Sequence, residues 1–95
     1  MQHYTAVSRL EKRVIRELKA GNFVLTVHAR ERMNERLVSE LDIVEVANTL
    51  KTIRYQAKTD TYLLTGLSTW KEKLVVSAAF RGKVIIVTVF FEKHT

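Results

Sequence analysis

Apolar residues recur at helical spacing in the first half of the chain and at strand spacing in the second. Over residues 5–20, Val7, Leu10, Val14 and Leu18 form one stripe. Arg9, Lys12, Arg13, Arg16 and Lys19 fall off that stripe, which predicts an amphipathic helix. Ser8 with Glu11 forms a capping box at its start, with Thr5 an equal alternative, and Gly21-Asn22 supplies the stop. Phe23–Val27 alternates weakly in β-favouring residues and reads as a short strand. Two consecutive helical patterns follow between Thr26 and Leu50. In the first, Ala29, Met33 and Leu37 make an apolar ridge. The second opens on Ser39 as N-cap with Asp42 at N3, and Val38 and Ile43 form a hydrophobic staple. Ile43, Val46, Ala47 and Leu50 give its inward face, and the helix is expected to end near Lys51.

From Ile53 onward the period changes to two. Ile53, Tyr55 and Ala57 alternate with polar neighbours, and Lys58-Thr59-Asp60 turns the chain into Tyr62–Thr69. Trp70-Lys71-Glu72-Lys73 turns it again into Leu74–Phe80, and Arg81-Gly82-Lys83 closes a tight hairpin into Val84–Phe91. The last two strands are nearly continuous in apolar residues, as expected of the central pair of a sheet. Short connections imply an antiparallel meander. The expected fold is α+β: N-terminal helices packed on one face of a C-terminal antiparallel sheet of about four strands, in one domain spanning residues 1–95.

Composition narrows the function without choosing it. The chain has no cysteine, so neither a disulfide framework nor a cysteine-ligated zinc enters. No apolar stretch approaches the length of a membrane span, and the polar start is unlike a signal peptide, so a cytoplasmic location is expected. Lys and Arg number 16 against 10 Asp and Glu, a net charge of +6. Such a balance suits RNA or another polyanion, and it suits an acidic protein equally. Arg9, Arg13, Arg16, Arg30, Arg81 and Lys83 are the candidate nucleic-acid-binding residues, although cations on a helix commonly form only its solvated side.

One polar constellation is dense enough for chemistry. His28, Arg32 and Arg36 recur every fourth residue, so an imidazole and two guanidiniums share one helix face beside the apolar ridge. RNA cleavage by internal transfer needs a proton acceptor at the 2′-hydroxyl, a donor at the leaving oxygen, and cations at the phosphorus. Histidine serves either proton role near neutral pH, and arginine matches phosphate oxygens with a planar fork. The plain alternative has Glu31 and Glu35 pairing with Arg30, Arg32 and Arg36 as ordinary surface charges. Spacing alone weighs the two equally. His28 with Glu31 lacks the further ligands a metal needs, and His3 and His94 stand alone near the ends. With no glycine-rich loop or activated serine either, no cofactor is expected.

The segment His28-Ala29-x-x-Arg32-Met33-x-x-Arg36, followed by Ser39-x-x-Asp42-Ile43, resembles a motif of small bacterial and phage proteins in a domain-of-unknown-function family. That family is placed by resemblance with the barnase, EndoU, colicin and RelE group of metal-independent ribonucleases, which includes toxins of toxin–antitoxin pairs. The likeness runs in element order from about Phe23 to Phe90, and at residue level it is confined to the His-Arg-Arg segment. It implies a toxin-like endoribonuclease with His28, Arg32 and Arg36 in the active site, Thr88 of the last strand facing the cleft, and an acidic antitoxin as partner. Leu37 stands where members often carry glycine. Two other readings remain open. One is a non-catalytic nucleic-acid-binding or regulatory module using the two consecutive helices somewhat as a helix-turn-helix; the other is an adaptor for an acidic protein.

Overall fold

The computed structural model describes residues 8–92. Helix α1 (Arg9–Lys19) is followed by strand β1 (Phe23–Leu25), helices α2 (Val27–Arg36) and α3 (Glu40–Asn48), and then strands β2 (Thr52–Gln56), β3 (Thr61–Leu67), β4 (Lys73–Phe80) and β5 (Val84–Phe91). The fold is α+β. It has one strand more than the four-stranded meander expected, because Phe23–Leu25 joins the same sheet, in the order β1-β5-β4-β3-β2. β1 runs parallel to β5, with Phe23, Val24 and Leu25 beside Val84, Ile85 and Ile86; every other neighbour is antiparallel. Thus β4 is the middle strand, and β5 is the next one in, flanked by β4 and β1.

Local chemistry sets the helix ends. Ser8 is the cap of α1: its hydroxyl accepts from the Glu11 amide at 3.0 Å, and the Glu11 carboxylate accepts from the Ser8 amide at 2.8 Å. Thr5 and Val7 lie outside the described residues. Val14 and Leu18 are fully buried, whereas Leu10 is 40% exposed and does not belong to the buried face. In α3 the Ser39–Asp42 capping box is present as expected. The helix ends at Asn48, short of Lys51. The Thr49 hydroxyl donates to the Glu45 carbonyl at 2.7 Å and accepts from the Leu67 amide at 2.7 Å, so the chain leaves the helix tied to β3. Between α2 and α3, Leu37 adopts φ 56° and ψ 43°, the left-handed conformation that favours glycine at a helix C-terminus.

The core lies between the helices and one face of the sheet. Val14 and Leu18 of α1, Ala29 and Met33 of α2, and Ile43, Val46 and Ala47 of α3 share a single cluster with Leu64, Leu74, Val76, Ala78, Val84, Ile86 and Val89. α3 approaches β3 closely at Gly66. A Cβ there would stand 2.4 Å from the Val46 carbonyl oxygen, so only glycine fits. The opposite sheet face carries Arg54, Leu63, Thr65, Val75, Ser77, Thr88 and Phe90, as the strand registers and the side-chain alternation dictate. Among the described residues no helix is long and apolar enough to cross a membrane.

Candidate functional site

The helix that carries His28 is placed by one side chain. Thr26 continues the pairing of β1 with β5, its amide donating to the Ile86 carbonyl at 3.1 Å. Its hydroxyl accepts from the Ala29 amide at 2.9 Å as the N-cap of α2, and donates to the Val87 carbonyl at 3.2 Å. Sheet edge and helix start are therefore one hydrogen-bonded unit, and Ala29 and Met33 are pressed into the core behind them. The facing ridge is held outward. His28 is exposed, as the proton-transfer reading requires.

The two guanidiniums share a carboxylate. Arg32 Nη1 lies 2.7 Å from Glu35 Oε1, and Arg36 Nη1 lies 3.5 Å from the same oxygen. The arginine side chains are 33% and 35% exposed and the glutamate is 57% exposed. The ordinary surface pairing weighed above is therefore present for Glu35. Ion pairs this open contribute about 0–1 kcal/mol, so a phosphate offering bidentate acceptors competes with Glu35 on favourable terms.

Thr88 does not join this ridge. It pairs with Ser77, whose neighbours Val76 and Ala78 point into the helix-covered core, so Ser77 and Thr88 face the other side of the sheet. The cause is a β-bulge. Ala78 pairs with Ile86 and Ser77 with Thr88, leaving Val87 as the extra residue. Simple alternation from Val84 and Ile86 would have turned Thr88 toward the helices; one inserted residue reverses it. Assigning Thr88 to the same site as His28, Arg32 and Arg36 is corrected accordingly.

The candidate nucleic-acid-binding cations lie on α1, on α2 and in the β4–β5 hairpin. Arg13 pairs with Glu17 at 3.2 Å and lies over the Phe80 ring at 5.4 Å. Arg81 pairs with Asp60 at 3.2 Å. Arg9, Arg16, Arg30 and Lys83 are exposed. Arg9, Arg13 and Arg16, with Leu10 and Lys12, line a shallow hollow of about 470 Å³ on α1. Tyr55 and Tyr62 belong to β2 and β3, on the far side of the sheet from β1 and β5. Tyr55 donates to Asp60 at 2.7 Å, which raises its pKa above the usual tyrosine value; burial raises that of Tyr62. Both phenols therefore stay protonated near neutral pH.

A second hollow, of about 540 Å³, lies on the uncovered face of the sheet. Leu63, Val75 and Phe90 line it together with Lys51, Arg54 and Lys73. Those three cations escaped the sequence reading because they stand on or beside strands, far apart in the chain, and no periodicity groups them. α3, the second of the two consecutive helices, buries Ile43, Val46 and Ala47 and packs against both α1 and the sheet.

Among the described residues, the one buried charge lies at the start of α3 and has a full set of partners. Asp42 is 2% exposed. One of its oxygens accepts from the Ser39 amide at 2.8 Å and hydroxyl at 3.1 Å, the other from the Thr69 amide at 2.7 Å and hydroxyl at 2.5 Å. Burial alone pushes the carboxyl up; the Ser39 and Thr69 donors outweigh it and hold Asp42 below the ordinary value of 3.8. The Ser39–Asp42 cap is local and legible in the sequence; the partner Thr69, 27 residues away, is not. Compared with family models, curated proteins and solved structures, the chain matches none.

Proposed function

We propose that the protein acts on RNA as a metal-independent, toxin-like endoribonuclease, with His28 transferring a proton and Arg32 and Arg36 binding the phosphate. The observation that carries this reading is an exposed imidazole one and two turns from two partly exposed guanidiniums, on a helix fixed to the sheet by Thr26. In the reaction, the ribose 2′-oxygen attacks phosphorus as it loses its proton, and the 5′-oxygen departs as it gains one. His28 takes one of these two proton roles, worth about 10²–10⁴-fold in rate. The arginines bear the charge that builds on the phosphorane oxygens. Cytoplasmic RNA is the substrate class, and an acidic antitoxin covering the cationic surface is the matching partner.

The test is cleavage of RNA by the purified chain in chelator, comparing wild type with His28→Ala. The variant removes only an exposed side chain, so its thermal midpoint should stay put while cleavage falls by about the factor above. Undiminished cleavage by the folded variant removes His28 from the mechanism.

A second reading draws on a different observation, the hollow edged by Lys51, Arg54 and Lys73 beside Phe90 on the uncovered sheet face. There the protein binds single-stranded nucleic acid without cutting it, through phosphate contacts and base stacking. Salt-sensitive binding that is lost in Arg54→Ala and kept in His28→Ala, with the RNA intact, favours it over the first.

A further inference from the structure

The positive charge of the chain is not spread evenly. On α1, Arg9, Lys12, Arg16 and Lys19 recur at spacings of three and four, so they share one face, opposite buried Val14 and Leu18. All four are exposed, and among the described residues no carboxylate pairs with any of them. Arg13 borders that face and lies over the Phe80 ring at 5.4 Å, which seats α1 beside the β4–β5 hairpin. Arg81 of the hairpin pairs with Asp60 at 3.2 Å, which brings in the β2–β3 turn. Strand register agrees: Phe80 stands opposite Val84 and Tyr62 opposite Ala78, so α1 and both turns meet at one end of the sheet. Lys58 and Lys83 lie in those turns and are exposed. This end thus holds 8 of the 16 Lys and Arg but only 3 of the 10 Asp and Glu, five of the six net positive charges. Its three carboxylates are already engaged: Glu11 accepts from the Ser8 amide, Glu17 from Arg13 and Asn22, and Asp60 from Tyr55 while pairing with Arg81.

What such a surface takes follows from what it lacks. Leu10, 40% exposed at its margin, is the one large apolar side chain that α1 leaves open. An acidic protein would be drawn to this end, but a protein interface also has an apolar core, whereas nucleic-acid interfaces are polar and strongly cationic. α1 has no aromatic residue on which an unpaired base could stack. The exposed Tyr55 ring packs on Tyr62, with centroids 5.1 Å apart. A duplex turns its bases inward and its phosphates outward, where arginine forks and lysine ammonium groups meet them without reading sequence. We propose that the α1–hairpin end binds the phosphate backbone of double-stranded RNA, as an anchor on a different helix from the His28 ridge. The contact with phosphates stands on charge and geometry; that the duplex is RNA rests on the ribonuclease reading.

The experiment is fluorescence anisotropy of a short labelled RNA duplex over a salt series, with every protein carrying His28→Ala so that the RNA survives. Binding should be indifferent to duplex sequence, with log K falling against log salt at a slope of about −4. Arg9→Gln, Lys12→Gln and Arg16→Gln together should weaken it at least about tenfold and make the slope shallower by about three, with unchanged circular dichroism. The same charge removed from the uncovered sheet face, as Lys51→Gln, Arg54→Gln and Lys73→Gln, should leave the slope as it was. All six side chains are exposed, so the fold should tolerate both sets. If the α1 set unfolds, Lys83→Gln reads the same end by a slope change of about one. Absence of duplex binding overturns the proposal. So do equal losses in the two triple variants, tighter binding of single-stranded RNA or of a DNA duplex, or displacement by polyglutamate as readily as by RNA. Cleavage by the chain with His28 intact is scored separately. Duplex binding without cleavage sinks the ribonuclease reading alone, and cleavage without duplex binding sinks this proposal alone.

Discussion

Helices α2 and α3 are consecutive, similar in length and both started by a hydroxyl N-cap, yet they meet the rest of the molecule in different ways. α2 buries Ala29 and Met33 and leaves its charged ridge in solvent. Its polar groups pair loosely, with Glu35 shared between Arg32 and Arg36. α3 buries Asp42, Ile43, Val46 and Ala47, approaches β3 at the width of a glycine, and satisfies its one buried charge completely. The lesson is a division of labour between neighbours. Exposed ion pairs contribute little to stability and leave side chains free for a ligand, whereas a buried carboxylate with donors on both oxygens organises the fold and offers nothing to bind.

Substitutions in the two helices and their contacts should separate along that line. Gly66→Ala is expected to do most damage, because the added methyl meets the Val46 backbone rather than a movable side chain. Destabilisation of about 3 kcal/mol, at the top of the usual overpacking range, should appear in urea unfolding. Asp42→Ala comes next, at about 2 kcal/mol, through loss of the cap and of the charge-assisted bonds to Thr69.

Asp42 also fixes a pH dependence. Its folded pKa is depressed, so the folded state holds the proton less tightly than the unfolded chain does. The stability it contributes is complete above the unfolded carboxylate value of about 3.9 and is lost as pH falls through the lower folded value. Comparing unfolding of wild type and Asp42→Ala from neutral to strongly acid pH should show the gap between them narrowing in that acid window. A gap that is constant with pH removes the linkage.

The loop joining the two helices supplies the smallest effect, and one of opposite sign. Leu37 is strained by its left-handed backbone and its side chain is almost wholly in solvent. Leu37→Gly should therefore stabilise the chain by about 0.5–1 kcal/mol, the relief of strain less the entropy glycine loses on folding. Differential unfolding of dilute samples checks it. An unchanged or lowered midpoint would show that glycine's entropic cost outweighs the strain.

Much of this was legible in the linear pattern. The Ser8–Glu11 and Ser39–Asp42 boxes, the buried stripe of α3, the His28-Arg32-Arg36 ridge and the last hairpin each depend on residues within about one helical turn or one turn of chain. Local sterics and local hydrogen bonds determine them. The exposure of His28 is not among these: a residue next to the inward ridge of Ala29 and Met33 can face either way, and only the packed structure leaves it in solvent.

Tertiary structure alone decided what rests on distant partners or on strand parity. The parallel pairing of Phe23–Leu25 with β5 joins segments about sixty residues apart, which no short window records. The face of Thr88 turned on one extra residue at Val87, because a period of two carries any insertion forward to every later side chain. The need for glycine at 66 comes from the Val46 carbonyl of α3, twenty residues earlier in the chain and brought against β3 only by the fold. The grip of Thr69 on Asp42, and the gathering of Lys51, Arg54 and Lys73 on one sheet face, likewise exist only after the strands have aligned.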